Sequence, residues 1–546
     1  MRTRIAVVLG VCCLLWTVEA RAFDDFEDLE DSDSGDSTEE FFVINGFIQN
    51  QTGIFFSTES NKWEQVKDDF GNITEYPIDH GDKLGKLSMM RTTLQLEADL
   101  KPAKGVRLRG VFRGVRSLQL EVDEYAQPPD PGKTGGDYVA WVNEKYYTEN
   151  RLREIFIDIE AAPWLDLRIG RQQVAWGDMG QYRLLDVVNP TNSTWHFPTL
   201  ENYDDTRVPL WMFKSVMEIK PLNGSLEFIW LPLLDNPEET VTVPLTFVSA
   251  WGLPRSPKQE YESGFNIRKK TPRYPGHKIE DSRLGARWVG SLGVLSYSLV
   301  YYWTHQITPP IPTGFVQLYD PTRGALEVDR STGNAVIDEV FLDYPRQHIA
   351  GFSLEYAFQS PVSTIVRLEA SYTPNATYPA VSSAEKTTPD YVDGQDLYTS
   401  LLTYEKHVAS WGIQLMRPTF IRFLNPTQTF MFVAQALHTM VLDWDSKERY
   451  LDIPNLDSTE TKQHSLTLVG AVTTSYLHGM LAPKIVGAYI PGPAPSGFVT
   501  AQMAMLFGNH WRAAVGATMF FGEDPYKGLG LFRDRDEVFA RLQYQF

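Results

Sequence analysis

The chain has 546 residues, a formal net charge of −19 and 13% aromatic residues. This acidic balance excludes a nucleic-acid-binding protein. No run of roughly eighteen apolar residues follows the N-terminal segment, which excludes a membrane protein built from transmembrane helices. Both cysteines, Cys12 and Cys13, lie in that segment, so the rest of the chain has neither a nucleophilic thiol nor a cysteine-bound metal.

Residues 1–22 have the pattern of a secretory signal peptide. Two arginines precede an apolar stretch from Ile5 to Val18, and the segment ends on Ala20-Arg21-Ala22, a small-x-small cleavage site. Aspartate and glutamate dominate residues 23–41, which we expect to form a disordered periplasmic tail because such a run buries too little apolar surface to fold. Residues 42–546 are expected to form a single domain.

Alternation of polar and apolar residues dominates the chain from Phe42 onward. In the clearest run, Thr92 to Leu100, the leucines share one face and the acidic and amide side chains share the other, as in a strand with one apolar face. Short turns such as 101–105 alternate with long loops near 57–86, 117–150, 178–209, 235–280, 306–345 and 375–402. Short periplasmic turns and long outer loops are typical of outer-membrane barrels.

The predicted fold class is therefore all-β: a transmembrane, antiparallel, up-and-down β-barrel of about 18 strands (range 16–18). The predicted strands are 42–56, 87–100, 106–117, 151–161, 165–176, 211–220, 224–234, 282–289, 294–304, 346–358, 362–374, 403–417, 427–441, 462–476, 481–490, 497–508, 511–521 and 535–546.

The last strand carries a specific signal. Apolar residues occupy every second position from Val538, and the chain ends on Tyr544-Gln545-Phe546. This resembles the C-terminal signal read by the barrel assembly machinery of Gram-negative bacteria. It predicts an outer-membrane location, with membrane lipid and that machinery as partners and with Tyr544 and Phe546 as the assembly residues. The alternative is an ordinary edge strand that ends in phenylalanine.

The inward faces of the early strands are predicted to be heavily charged. Arginine or lysine near the bilayer midplane costs roughly 2–4 kcal/mol when it faces lipid, so these side chains should face a wet lumen. One interpretation is a selectivity wall for polar solutes, with the arginines as binders of acidic groups. The other is cross-strand ion pairing that holds the wall together. The residues are Arg91, Arg107, Arg109, Arg113, Glu154, Asp158, Glu160 and Arg168.

A second constellation follows in the chain. After Gly170 a strand breaks away at the barrel rim, and Asn189-Pro190 favours a turn. We predict that the loop near 178–209 folds into the pore and forms its constriction, with an external loop as the alternative. The candidate residues are Arg171, Gln173, Trp176, Asp178, Asp186, Asn189, Asp205 and Arg207.

The motifs Gly-Arg-Gln-x-x-x-Trp-Gly from Gly170, Asp-x-x-Asn-Pro from Asp186 and Asp-Thr-Arg-x-Pro from Asp205 resemble a large proteobacterial family. It is known only as a domain of unknown function and is regarded as outer-membrane barrels; a more distant similarity is to the alginate exporters. The resemblance implies transport of a hydrophobic or amphipathic compound, with a periplasmic lipoprotein and an inner-membrane exporter as partners. The acidic tail is not part of this pattern.

Enzyme motifs do not appear. The sequence has no Gly-x-Ser-x-Gly, no His-Glu-x-x-His and no phosphate-binding glycine loop, and its ten histidines are scattered. We therefore predict a porin-like channel or transporter with no catalytic residue, metal site or cofactor. The alternatives are a structural or adhesive barrel with a closed lumen, and a barrel hydrolase.

Overall fold

The computed structural model describes most of the chain from residue 41 onward, in the ranges given below; within those ranges the positions 181, 183, 202, 277, 321, 323 and 324 are not described. The predicted signal peptide and nearly all of the predicted acidic tail lie outside the described residues. The described ranges are 41–56, 64–67, 73–76, 84–118, 149–192, 201–232, 265–306, 311–327, 335–359, 362–379, 389–392, 396–400, 403–445, 462–523 and 528–546.

Eighteen antiparallel strands form one closed barrel, and each predicted strand overlaps one of them. We number these strands β1 to β18 in chain order. They are Phe42–Phe55, Leu87–Ala103, Val106–Ser117, Glu149–Ala162, Leu165–Gln172, Leu210–Ile219, Gly224–Leu231, Arg283–Leu292, Leu295–His305, Arg346–Phe358, Thr364–Pro379, Thr403–Thr419, Phe430–Val441, His464–Thr473, Leu481–Ile490, Ser496–Phe507, Trp511–Gly522 and Glu537–Gln545.

Period-two alternation assigns the two faces of the wall. Residues directly opposite each other in an antiparallel pair share a face, so the pairing of Gln49 with Thr93 and of Ile48 with Leu94 separates a polar from an apolar face. Ile48 is about half exposed on the apolar face, as expected for a residue that meets lipid. The predicted all-β, antiparallel barrel is confirmed.

The barrel closes where the first and last strands meet. β1 pairs with β18 from Phe47–Gln545 to Phe55–Glu537, and the backbone of Phe546 makes two further hydrogen bonds of 3.0 Å to Gly46. A Cβ atom at Gly46 would lie 2.4 Å from the Gln95 carbonyl oxygen and 3.0 Å from the Phe546 ring. The seam can therefore close in this way only because residue 46 is a glycine, which has no side chain.

Gly46→Val is expected to weaken closure, because the added side chain must displace backbone at the seam. The expected result is loss of the heat-modifiable, folded band on a gel at lower temperature than for the native chain. Gly110→Val is the control, since a Cβ at Gly110 meets no atom within 4 Å. Equal melting of the two variants would contradict the role of Gly46.

Two features differ from the sequence prediction. β5 ends at Gln172, four residues before its predicted end, and the chain then leaves the wall.

Several predicted loops also contain strands, which form a separate five-stranded sheet. These strands are Phe265–Arg273, Ala335–Asp343, Ile311–Gln317, Asp396–Ser400 and Pro389–Val392. The first pair of this sheet is parallel, so the partners come from different loops, and alternation within one loop does not reveal such a pairing.

The remaining elements are short. Two small hairpins pair Glu64–Lys67 with Ile73–Tyr76 and Tyr319–Asp320 with Ala325–Leu326. Within the described residues, no helix is long and apolar enough to cross a membrane. The helical segments are an α-helix at Tyr203–Thr206 and 3-10 turns at Lys220–Leu222, Ile279–Asp281 and Gly528–Phe532.

Candidate functional site

The charged side chains predicted on the early strands are largely paired across the strands. Arg109 contacts Glu97 at 2.5 Å and Asp99 at 3.0 Å, and Arg107 contacts Asp99 at 2.7 Å. Arg168 forms two hydrogen bonds to Asp158, at 2.5 and 3.0 Å. These side chains are partly exposed, so they form a ladder of charges in contact with lumen water.

The other predicted wall residues contact the segment after β5. Arg91 forms a 3.1 Å ion pair with Glu201, and Arg113 forms an ion pair with Asp205. Glu154 accepts a 2.6 Å hydrogen bond from Gln173. Arg91 and Arg113 are buried beneath this segment. The structure thus brings part of the predicted wall set and part of the predicted loop set into direct contact.

Glu160 stands apart from these pairs. It lies exposed near the β4–β5 turn, directly opposite Asp166 on the next strand. Both carboxylates border a cavity of about 530 Å³ at the short-turn end of the lumen, together with Arg107, Arg168 and Lys214. The short-turn end of the lumen is therefore strongly charged.

We call residues 173–209, which join β5 to β6, the inner loop. Its described residues contact side chains on the inward faces of β2, β3, β4, β7, β8, β10, β11 and β13. Contacts with so much of the circumference are made only by a segment that lies inside the barrel. The loop therefore narrows the lumen in this structure.

One carboxylate on β11 binds the inner loop at four points. Glu369 Oε1 accepts the backbone N–H groups of Asp178 at 2.5 Å and Met179 at 3.0 Å. Glu369 Oε2 accepts those of Leu184 at 2.8 Å and Leu185 at 3.0 Å. The Glu369 side chain is fully buried. Because hydrogen bonds to charged groups are the stronger ones, we call Glu369 the latch of the loop.

Further anchors surround the latch. The Asp178 carboxylate contacts Arg287 on β8 at 3.0 Å and accepts a 2.6 Å hydrogen bond from Ser353 on β10. Gln435 on β13 accepts a hydrogen bond from the Tyr182 N–H at 3.2 Å and donates one to its carbonyl oxygen at 2.6 Å. The first half of the loop is thereby attached to the barrel wall from β8 to β13.

A buried ion pair joins the two halves of the loop. The Arg207 guanidinium donates to Asp186 Oδ2 from Nε at 2.8 Å and from a terminal nitrogen at 2.6 Å, and it also pairs with Asp204. Asn189 accepts the Val174 N–H at 2.8 Å and donates to the Val208 carbonyl oxygen at 2.8 Å. The loop thus has an internal scaffold of its own.

Apolar packing completes the attachment. Trp176, Leu185 and Val188 are fully buried against a cluster that includes Ile229 and Tyr302 on the wall. The Trp176 indole N–H donates to Glu227 at 2.8 Å. Two wall glycines make room: a Cβ at Gly285 would lie 2.5 Å from the Trp176 ring, and one at Gly351 would lie 2.5 Å from Leu185.

Arg171 is placed differently from the other predicted loop residues. It remains in β5 opposite Trp211, on the other face from Arg168 and Gln172, and its Nε donates to the Pro209 carbonyl oxygen at 3.1 Å.

The predicted assembly residues lie in the last strand and at the end of the chain. Tyr544 packs against Trp511 with ring centroids 4.9 Å apart. The assembly role of Tyr544 and Phe546 stays a prediction.

Sequence reasoning missed the wall residues that hold the loop, namely Glu369, Gln435, Arg287, Glu227 and Arg153. The Arg153 guanidinium donates to the carbonyl oxygens of Asp204 and Arg207. Alternation in Ile365–Ala370 does place Glu369 on the inward face beside Arg367, so the sequence alone predicts that the Glu369 side chain points into the barrel. It does not predict the partners of Glu369, because they lie 184 to 191 positions away in the chain.

A second arc of the wall has the opposite character. Strands β13 to β17 contain only two Asp, Glu, Lys or Arg residues, Lys484 and Arg512. Their inward faces carry Val469, Ala488, Phe498 and Phe520, which belong to one buried apolar cluster. This cluster also contains Leu531 and Phe532 of the Gly528–Phe532 turn, so the barrel wall joins a charged arc, from β2 to β5, to an apolar arc whose side chains are buried. Among the described residues, no group of three or more metal-binding side chains occurs.

A closed antiparallel barrel of eighteen strands is the architecture of the outer-membrane porins. The chain belongs to the family described as "Protein of unknown function (DUF1302)", whose model matches residues 3–546. This confirms the predicted resemblance to an outer-membrane barrel family of unknown function.

Solved structures of bacterial proteins match the chain over most of its length at low identity. OccAB1 of Acinetobacter baumannii has 11% identity and a TM-score of 0.43, with 94% of this chain and 99% of that chain covered. OccAB3 of the same organism has 8% identity and a TM-score of 0.43 (92% and 99% covered). OccK5 (OpdH) of Pseudomonas aeruginosa has 9% identity and a TM-score of 0.41 (92% and 97% covered). No curated protein matches the chain.

Proposed function

We propose that this protein is an outer-membrane channel for small amphipathic molecules, with the inner loop as its constriction. The observation that carries the proposal is the inner loop itself, held inside the barrel by Glu369, Gln435 and Arg287. A segment built in this way would set the width of the lumen, since barrels of 16–18 strands enclose an aqueous channel.

The charged arc supports the polar half of the substrate class, and the family resemblance supports the apolar half. A solute with an acidic group can interact with the guanidinium groups of the charged arc, such as those of Arg107 and Arg168. Charged linings of this kind select by the chemistry of the pore wall. The apolar arc is covered by the cluster that includes Leu531 and Phe532, so it does not line the path of a solute. The periplasmic lipoprotein and inner-membrane exporter implied by the family resemblance remain partners to be sought.

The test is single-channel conductance of the refolded protein in planar bilayers, native chain against a deletion of residues 178–209 closed by a short glycine-serine linker. The native chain should give small, stable openings, and the deletion should give openings several-fold larger. Heat-modifiable migration on a gel is the control for folding. Absence of openings from both folded proteins would overturn the proposal and favour an adhesive barrel with a closed lumen.

Substrate class is tested by liposome swelling. We expect an aromatic carboxylate to enter proteoliposomes faster than a neutral sugar of similar size, relative to the same solutes in protein-free liposomes. Equal relative rates for the two solutes would leave a general diffusion pore and would contradict the amphipathic specificity.

Arg109→Ala should move the ion selectivity toward cations. The change removes the guanidinium that contacts both Glu97 and Asp99, so two carboxylates face the lumen with less neutralisation. The reversal potential in a salt gradient measures the shift, which should shrink at high salt as the charges are screened. Arg116→Ala is the matched control, because it removes the same charge from the other face of β3. An unchanged reversal potential in Arg109→Ala, or an equal shift in both variants, would contradict this role.

A further inference from the structure

The outward face of β12 to β16 contains an apolar groove of about 490 Å³, within the size range of small-molecule sites. Ala434, Gly470 and Gly487 stand directly opposite one another on three neighbouring strands. Because their side chains are small or absent, they form a low floor. Larger apolar side chains, including Leu415, Phe432, Val472, Ile485 and Val499, form the walls.

Arg417 lies at the edge of this groove. It pairs with Phe432 on the outward face and is two residues from the end of β12 at the short-turn side of the barrel. Its side chain is exposed, and no hydrogen bond or ion pair joins it to another described residue. Short turns are periplasmic in outer-membrane barrels, so this cation sits at the level of the inner-leaflet headgroups.

We propose that the groove binds a glycerophospholipid of the inner leaflet, with an acyl chain over Ala434, Gly470 and Gly487 and the phosphate on Arg417. The inference rests on the outer-membrane location in the proposed function. Two observations fix the class of ligand: the lining is apolar apart from one cation, and that cation is at the end where a headgroup would lie. A guanidinium binds a phosphate through two parallel hydrogen bonds.

A phospholipid fits this surface better than a second copy of the barrel. The outward faces of the barrel are apolar near the bilayer centre, so a second copy offers contact for the floor of the groove but no defined anion for Arg417. A phospholipid supplies an apolar chain and a single anion in one molecule. Charge complementarity therefore decides between the two occupants.

The test measures phospholipid retained after extensive washing in mild detergent, by native mass spectrometry and by phosphate assay. The native chain is compared with Arg417→Gln, Gly470→Leu and Arg422→Gln. A Cβ at Gly470 meets no atom within 4 Å, so leucine should fill the groove without disturbing the wall. Arg422→Gln is the matched control: it removes an exposed arginine from the neighbouring turn, outside the groove lining.

We expect the native chain and Arg422→Gln to retain a bound phospholipid, and both Arg417→Gln and Gly470→Leu to lose it. After all four proteins are stripped of lipid, adding phosphatidylglycerol should restore the bound species in the native chain and in Arg422→Gln and not in Gly470→Leu. Equal retention in all four proteins would overturn the proposal, as would a change of oligomeric state in Gly470→Leu without loss of lipid. Conductance is recorded on the same preparations, so that failure of the channel and failure of the lipid site are separate results.

Discussion

Glu369→Ala is expected to raise the single-channel conductance several-fold while the barrel stays folded. The substitution removes both acceptors that hold the backbone of Asp178, Met179, Leu184 and Leu185. Each buried N–H left without a partner costs roughly 1–3 kcal/mol. The loop should therefore detach from the wall, so that these N–H groups can donate to water. The hydrogen bonds between the barrel strands do not depend on Glu369, so the barrel should stay folded.

The controls for this prediction are two glutamate-to-glutamine changes. Glu355→Gln on β10 removes an inward carboxylate that pairs with Arg367 and forms no hydrogen bond or ion pair with the described residues of the inner loop, so its conductance should stay near that of the native chain. Glu369→Gln keeps one acceptor oxygen but sets an NH2 group against two backbone N–H donors. We expect its conductance to lie between those of the native chain and Glu369→Ala. A native-like conductance for folded Glu369→Ala would contradict the latch.

Arg207→Met is expected to loosen the inner loop by about 3–5 kcal/mol, the usual cost of breaking one side of a buried ion pair. The side chains of Arg207 and Asp186 are 2% and 3% exposed, so the variant leaves a buried carboxylate without its cation. The rate of proteolytic cleavage between residues 173 and 209 reports loop opening, since cleavage follows the population of the open form when reclosing is fast.

Two further variants test whether the effect of Arg207→Met comes from breaking its buried ion pair with Asp186. The double variant Asp186→Leu with Arg207→Met should recover much of the protection, because replacing both members of a buried pair by apolar residues is often neutral. Arg168→Met breaks a pair whose side chains are 30% and 27% exposed, and should change loop protection by under about 1 kcal/mol. Cleavage of Arg207→Met at the native rate would show that the pair does not hold the loop.

In the channel that we propose, different parts of the barrel control the pore width and the selectivity. The latch at Glu369 would set how far the loop projects from the wall, and Arg109 and Arg168 would set the electric field beside it. The loop deletion, the latch variant and Arg109→Ala therefore separate a change in pore size from a change in selectivity. A conductance increase without a selectivity shift in Glu369→Ala would be the clearest sign that the two properties are independent.

The sequence alone determined the barrel. Alternation with period two is a local property of a strand exposed to lipid on one side, so the runs around Thr92–Leu100 and Val538–Phe546 were enough to assign the strands and their faces. The alternation of short turns with long loops then gave the antiparallel order and the strand count. It also placed Arg107, Arg109 and Arg168 on the face that the structure assigns to the lumen.

Only the tertiary structure decided how the inner loop is held. Glu369 meets Leu185 across 184 positions of the chain, and no local pattern records which inward carboxylate meets which loop. The same holds for the small sheet in which Phe265–Arg273 pairs in parallel with Ala335–Asp343 from another loop. Strand and turn patterns arise from residues that are close together in the chain. The attachment of a loop depends instead on closure of the barrel, which brings residues distant in the chain to one level of the lumen.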